Sequence, residues 1–299
     1  MADSQYTLTQ IIYFNNELGN DSAFHTWTMQ IKFCMPDIAI TAFDSIHSFQ
    51  NYVSRQNTPS LLSHNAIIIA NSPSGIETAK ALNIAHIGYL PDLDKFLNCS
   101  YVLQGLDEID FNYIDMVFKR YHHIPLVITQ TKRCIIREFC ENDIDDLFKL
   151  YSSDEITRYV EPLFEYEEEL QYQRNYIKYM YEYYGYGMWL VFDKETDSLI
   201  GRAGLDHRNY SDDETSEPEI EIGYLISPEF QHLGYATEVC SAIIEFARIN
   251  LDVKRLNCLI SPDNAASISL IEKLGFECVG TTELHEELML HYIFVLHSV

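Results

Sequence analysis

The chain has 299 residues, 47% of them hydrophobic, and a formal net charge of −25. That length exceeds one small core and predicts about two domains of roughly 100–200 residues each. So acidic a chain is expected to repel nucleic acid and to attract a cationic small molecule or basic peptide.

In chain order, the first half alternates between strands and helices. Ile11 to Asn16 and Asp37 to Thr41 read as short strands, and Ser45 to Gln56 as a helix with Ile46, Phe49 and Val53 on one side. Ala66 to Ala70 is apolar throughout, as a strand buried on both faces requires. Asn71 to Gly75 reads as a turn, Ile76 to Leu82 as a helix, Ala85 to Leu90 and Tyr101 to Leu103 as strands, and Phe111 to Tyr121 as a closing amphipathic helix. The alternation predicts an open α/β sandwich of Rossmann-like kind over residues 1–130. Ile124 to Thr131 reads as a connector, with Pro125 and a polar run placing the boundary near residue 130.

The second half, residues 131–299, opens with a strand from Cys134 to Phe139, then a helix from Asp143 to Tyr151 capped by Asn142. Glu167 to Tyr184 reads as one long Tyr-rich helix, and Met188 to Phe192 with Leu199 to Leu205 as a hairpin. Asn209 to Glu217 is an acidic loop. Pro218 to Ser227 is a strand, Thr237 to Ile249 a helix, Arg255 to Ile260 a strand and Ala265 to Leu274 a helix closed by Gly275. Phe276 to Gly280 and Leu288 to Val295 end the chain as strands.

The charge is uneven: 12 acidic against 6 basic side chains leave −6 over residues 1–130, and 33 against 14 leave −19 over residues 131–299. No uninterrupted apolar run reaches the roughly 18 residues of a membrane span, and the start, Met1 to Gln5, lacks the basic and apolar regions of a secretory signal. Seven cysteines, without a C-x-x-C and odd in number, predict free thiols in a reducing cytoplasm and give no zinc-ligand spacing.

The densest signal runs from Ile220 to Ala236. An apolar strand leads into a Gly-containing loop and then an amphipathic helix, so backbone N–H groups and the positive end of the helix dipole converge. That is a site for a diphosphate. Gln231-His232-Leu233-Gly234-Tyr235-Ala236 fits Q/R-x-x-G-x-G/A and resembles the acyl-CoA pyrophosphate loop of the GNAT N-acetyltransferase superfamily. Asn264 to Phe276 is similar to that family's N-x-x-S/A…L-G-F segment, and Leu199 to Leu205 to its third strand. The resemblance spans roughly residues 132–297 and is nearest the RimJ/RimL-like branch.

The resemblance implies a splayed mixed sheet, with the strands Pro218–Ser227 and Arg255–Ile260 diverging to hold the pantetheine of acetyl-CoA. Leu225 and Ile226 would flank the arm, Gln231, His232, Leu233, Gly234, Tyr235, Ala236 and Thr237 would cradle the diphosphate, and Asn264 would bond the pantetheine or nearby backbone. Lys273 would reach the adenosine 3′-phosphate. The reaction implied is acetyl transfer to a primary amine in a ternary complex, without a metal. It needs a base for the amine and a proton for the departing thiolate. Glu221 is favoured as base, ahead of Glu286 and of Glu219 on the same strand face. Many relatives place a Tyr acid where Ile271 stands here, which leaves Ser267 as the hydroxyl at hand. The loop contains no Arg or Lys, so a non-catalytic acyl-CoA sensor is the alternative. The Tyr cluster from Tyr172 to Tyr186 reads as packing, or as an acceptor wall.

In the first half, Ile67 to Tyr89 resembles the strand–turn–helix of the haloacid-dehalogenase-like (HAD-like) superfamily. Asn71 stands where that family has an Asp, and the first strand has no D-x-D, so no phosphatase activity is expected. No G-x-G-x-x-G follows a strand there, which disfavours a dinucleotide enzyme.

Overall fold

The computed structural model describes residues 6–56, 59–91, 96–107, 109–208, 219–284 and 287–296. The chain divides into two units, Met1–Ile124 and Pro125–Val299.

The first unit runs β1 (Gln10–Phe14), α1 (Asn15–Leu18), α2 (Ser22–Cys34), β2 (Ala39–Phe43), α3 (Ile46–Gln56), α4 (Pro59–Asn65), β3 (Ala66–Ala70), α5 (Pro73–Ala81), β4 (Ala85–Tyr89), β5 (Val102–Leu103) and α6 (Phe111–Tyr121). Its sheet is parallel, in the order β2-β1-β3-β4-β5. That is a doubly wound order, with the direction of winding reversing between β1 and β3. Every residue of β3 is buried, because separate apolar clusters cover the two faces of the sheet. Three helices, α1, α2 and α4, were not foreseen, and α1 takes Asn15 and Asn16 from the expected first strand. In α2 the buried Phe24, Trp27, Thr28 and Ile31 follow the i, i+3, i+4, i+7 spacing of one helix face, a signal present in the sequence and passed over. The turn expected over Asn71 to Gly75 is shorter than that. Ser72 caps α5 through the Gly75 N–H at 3.0 Å, and Pro73 opens the helix.

The second unit runs β6 (Val127–Gln130), β7 (Cys134–Arg137), a 3₁₀ turn (Glu141–Asp143), α7 (Ile144–Tyr151), α8 (Asp154–Thr157), α9 (Tyr166–Tyr176), a π turn (Ile177–Tyr181), β8 (Met188–Asp193) and β9 (Leu199–Arg208). There follow β10 (Glu219–Ile226), α10 (Tyr235–Asn250), β11 (Arg255–Ile260), α11 (Ala265–Lys273), β12 (Glu277–Leu284) and β13 (Glu287–Val295). Its eight-stranded sheet has the order β12-β13-β11-β10-β9-β8-β7-β6. Neighbours are antiparallel except β10 and β11, which the α10 crossover makes parallel.

Three local expectations change. Val127–Gln130 is an edge strand rather than a connector. The N-cap of α7 is Asp143 instead of Asn142, and it makes no side-chain cap to α7; its carboxylate accepts the Cys140 N–H at 2.8 Å, closing the capping box of the preceding 3₁₀ turn, and pairs with Arg137. The long Tyr helix is broken by the π turn, whose extra residue turns Tyr181 inward and leaves Tyr179 and Tyr183 exposed. Tyr176 and Tyr181 are buried, and their hydroxyls serve one residue: the Met188 N–H donates to Tyr176 Oη at 2.8 Å, and Tyr181 Oη donates to the Met188 carbonyl at 2.6 Å.

Candidate acyl-carrier site

β9 and β10 pair along their whole length, from Glu219 opposite Arg208 to Ile226 opposite Gly201. On the other side β10 meets β11 at one pair only, Glu221 opposite Asn257. Beyond it the strands diverge, and the backbone from Gly223 to Ile226 is not laddered to β11. The side chains at the mouth, Leu225 and Ile226, are buried. A parallel pair that opens after one rung leaves a slot with peptide groups on its wall, which suits an extended amide-bearing chain.

The loop after β10 completes the slot. Gln231 donates from Nε2 to the Ile226 carbonyl at 2.9 Å, which fixes the loop to the strand it leaves. His232 (φ 57°) and Gly234 (φ 82°) are both left-handed, on either side of the exposed Leu233. Alternation of hand turns successive N–H groups to one side and forms a nest for an anion. Gly234 is the N-cap of α10, which begins at Tyr235, two residues earlier than expected. Tyr235, Ala236 and Thr237 therefore supply first-turn N–H groups that no helical carbonyl can satisfy. A Cβ at Gly234 would meet only the Arg133 guanidinium, at 3.6 Å, so the cradle is open.

Arg133 was not foreseen, because a hundred residues separate it from the loop. Its backbone N–H and Nε donate to Glu238 at 2.8 and 2.7 Å, its Nη1 donates to the Leu233 carbonyl at 2.9 Å, and its guanidinium lies 3.9 Å from the Tyr235 ring centre. Tyr235 in turn donates to Asp193 at 2.9 Å. The loop without a cation in sequence thus has one in space.

On the β11 side, Asn264 caps α11 by accepting the Ser267 N–H at 3.1 Å. The carboxamide thus holds backbone. Ser267 is half-buried, its carbonyl accepts from Tyr224 of β10 at 3.2 Å, and among the described residues nothing bonds its hydroxyl. Burial pushes the Tyr224 phenol well above its ordinary range. Tyr159 Oη donates to the Asp263 carbonyl at 3.2 Å, tying the segment after α8 to the start of α11. Lys273 lies exposed in the last turn of α11, roughly 13 Å along the axis from Asn264.

Strand alternation places Glu219, Glu221, Gly223 and Leu225 on one face of β10, beside Arg208, Asp206, Gly204 and Arg202 of β9. Glu221 Oε2 lies 2.7 Å from Arg208 Nε; the Nε–H is not aimed at it, so this is a charge contact rather than an aligned hydrogen bond. Glu219 is held differently. Arg255 Nε donates to it at 2.8 Å and Asn257 Nδ2 at 2.8 Å, and with the Arg255 bond as the main cause its carboxyl titrates below the usual range. The fully buried Asn257 also donates to the Ile220 carbonyl at 3.1 Å and lies 2.9 Å from His291 Nε2. Glu286 and the acidic loop Asn209–Glu217 lie outside the described residues.

All seven cysteines are free. The two nearest the slot, Cys240 and Cys258, are buried, and burial pushes both thiols up, away from thiolate chemistry. Among the described residues no three His, Cys, Asp or Glu are grouped to hold a metal ion, and no helix is long and apolar enough to cross a membrane.

A family model described as an acetyltransferase (GNAT) domain matches residues 133–277. The uncharacterized N-acetyltransferase YoaA of Bacillus subtilis (strain 168) is 30% identical over 160 residues, 51% of this chain and 84% of that protein. The uncharacterized N-acetyltransferase p20 of Bacillus licheniformis is 26% identical over 162 residues, 52% of this chain and 86% of its own length. Among solved structures, the ribosomal-protein-S5-alanine acetyltransferase of Vibrio fischeri superposes with a TM-score of 0.48 at 14% identity, covering 56% of this chain and 96% of that one.

Proposed function

Since the chain belongs to the GNAT acetyltransferase family and is an N-acetyltransferase, we propose that it transfers the acetyl group of acetyl-CoA directly to a primary amine in a ternary complex. The observation that carries this reading is the single rung between β10 and β11, followed by an open left-handed nest at Gly234. The residues present fit the carrier: the slot wall offers peptide groups to pantetheine, and the left-handed nest ahead of α10 offers main-chain N–H donors to a diphosphate, with the Glu238-paired Arg133 bracing the loop.

Acetyl-CoA supplies a thioester carbonyl activated toward amines. The chain supplies position and proton transfer. Glu221, at the closed end of the slot, takes a proton from the incoming ammonium through water. The neutral amine adds to the carbonyl carbon, the nitrogen sheds its second proton, the carbon–sulfur bond breaks, and that proton ends on the departing thiolate. Ser267, whose hydroxyl is unengaged among the described residues, is the nearest candidate on α11 to deliver it. The −25 net charge favours an acceptor whose amine arrives as an ammonium.

The second unit is of the RimJ/RimL-like kind, as the loop and the Asn264 segment suggest. The first unit is a HAD-like domain without its chemistry, since Asn71, just after β3, stands where that family has an Asp and the first strand has no D-x-D to supply the nucleophile. Seven free thiols suit a cytoplasmic protein. The test is free-thiol release from acetyl-CoA with a panel of primary amines, with mass spectrometry of the products. An amine gaining one acetyl group supports the proposal. Carrier binding without any turnover returns the sensor reading.

A further inference from the structure

We propose that the acceptor site contains an anion subsite at Arg202, so that the preferred amine also carries a carboxylate. The inference rests on the acetyltransferase reading above.

Arg202 stands on β9 opposite Leu225, one strand in from the mouth of the slot. It shares a sheet face with Gly204 and Asp206 and, across the ladder, with Gly223 and Glu221. It is partly buried, and its Nε–H is shielded from solvent without an acceptor. Among the described residues no carboxylate lies within ion-pair distance of it, whereas Arg133, Arg137, Arg174, Arg208 and Arg255 each have one. Its surroundings are the phenols of Tyr151, Tyr176 and Tyr181. None of these is a carboxylate, and burial pushes the Tyr176 phenol away from ionisation. The Tyr176 ring, at 5.8 Å from the guanidinium carbon, gives a weak cation–π contact and no counter-charge. A shielded guanidinium without an anion is costly, and proteins keep such groups where a ligand completes them.

The rows on this face are ordered by charge. Arg202 and Leu225 form one row, Gly204 and Gly223 the next, and Asp206 and Glu221 the third. The middle row has no side chains of its own, and a Cβ at Gly223 would meet the Met188 thioether at 3.2 Å, so Met188 lies across it. A cation, an apolar floor and two carboxylates follow one another over roughly 13 Å of strand. An ammonium near Glu221 and a carboxylate near Arg202 would match that order, as in an amino acid or short peptide with both ends free.

The test compares glycine, 4-aminobutyrate and glycylglycine with their carboxamides, in turnover and in calorimetric binding to the protein–CoA complex. At least one acid should surpass its amide by about 100-fold, the scale for a desolvated charge pair. Arg202→Met should erase that preference, keep the affinity for acetyl-CoA and leave the melting temperature equal or higher, since it removes an unpaired charge. Arg202→Lys should restore part of the preference. Equal binding of every acid and its amide in the wild type overturns the subsite, as does a preference that survives Arg202→Met. Failure to bind acetyl-CoA would instead sink the reading beneath it. If Arg202→Met does not fold, the wild-type comparison still decides.

Discussion

Glu221 and Asn257 face each other at the one rung that joins β10 to β11, so a candidate base and a fully buried amide together mark the closed end of the slot. The Asn257 side chain of β11 bonds both neighbouring strands, Glu219 and the Ile220 carbonyl of β10 and His291 of β13. Asn257→Leu strands those partners. It should destabilise the protein by about 1–3 kcal/mol and raise the KM for acetyl-CoA. Thermal melts with steady-state kinetics check both, and an unchanged KM would detach the rung from the slot.

Glu221→Gln keeps the shape and removes the proton acceptor. We expect kcat to fall by roughly 10²–10⁴-fold while the acetyl-CoA dissociation constant stays within about twofold. A variant that retains most of its turnover would move the base elsewhere, with Glu286 the next to test.

Met188 hangs between two phenols, and it also lies across Gly223. Tyr176→Phe leaves the Met188 N–H without its acceptor in a buried setting, at about 1–3 kcal/mol. Tyr181→Phe does the same to the carbonyl. Chemical denaturation should show each loss, and the double variant should cost more than either alone.

His122 belongs to the first unit, stacked on Tyr6 at 4.3 Å and against Phe118 at 4.5 Å. Burial, with smaller contributions from His64 and His123, lowers its pKa from 6.5 to about 4. The folded state therefore disfavours protonation. The stability gained from a neutral ring is complete above about pH 6.5 and is lost as pH falls toward 4. Unfolding midpoints of the first unit should drop over that window, and His122→Phe should flatten the slope. An NMR titration placing the His122 pKa near 6.5 would contradict this.

Much of the second unit was legible because its signals are local. Gly234 and Gly275 occur where a left-handed residue is required, and both have positive φ. Arg255–Ile260 and Ala66–Ala70 begin and end as read, since each apolar run is bounded by polar or helix-starting residues. What sequence could not show is convergence across long separations. Arg133 reaches Leu233 and Glu238, Arg208 reaches Glu221, and Tyr224 reaches Ser267 only once the sheet has formed. Periodicity also failed where the period itself changed. The π turn at Ile177–Tyr181 shifts the helical phase, so the buried rings of the cluster are Tyr176, Tyr181 and Tyr186, while Tyr172, Tyr179 and Tyr183, which share helical spacing with Tyr176, lie exposed.

Calorimetric titration with acetyl-CoA tests whether main-chain donors around Gly234 hold the carrier's diphosphate. One carrier should bind per chain and none to Gly234→Glu, where a side chain at φ 82° fills the nest with like charge while circular dichroism remains that of the parent. Equal affinity in the two proteins, or no binding by the parent, would contradict that assignment.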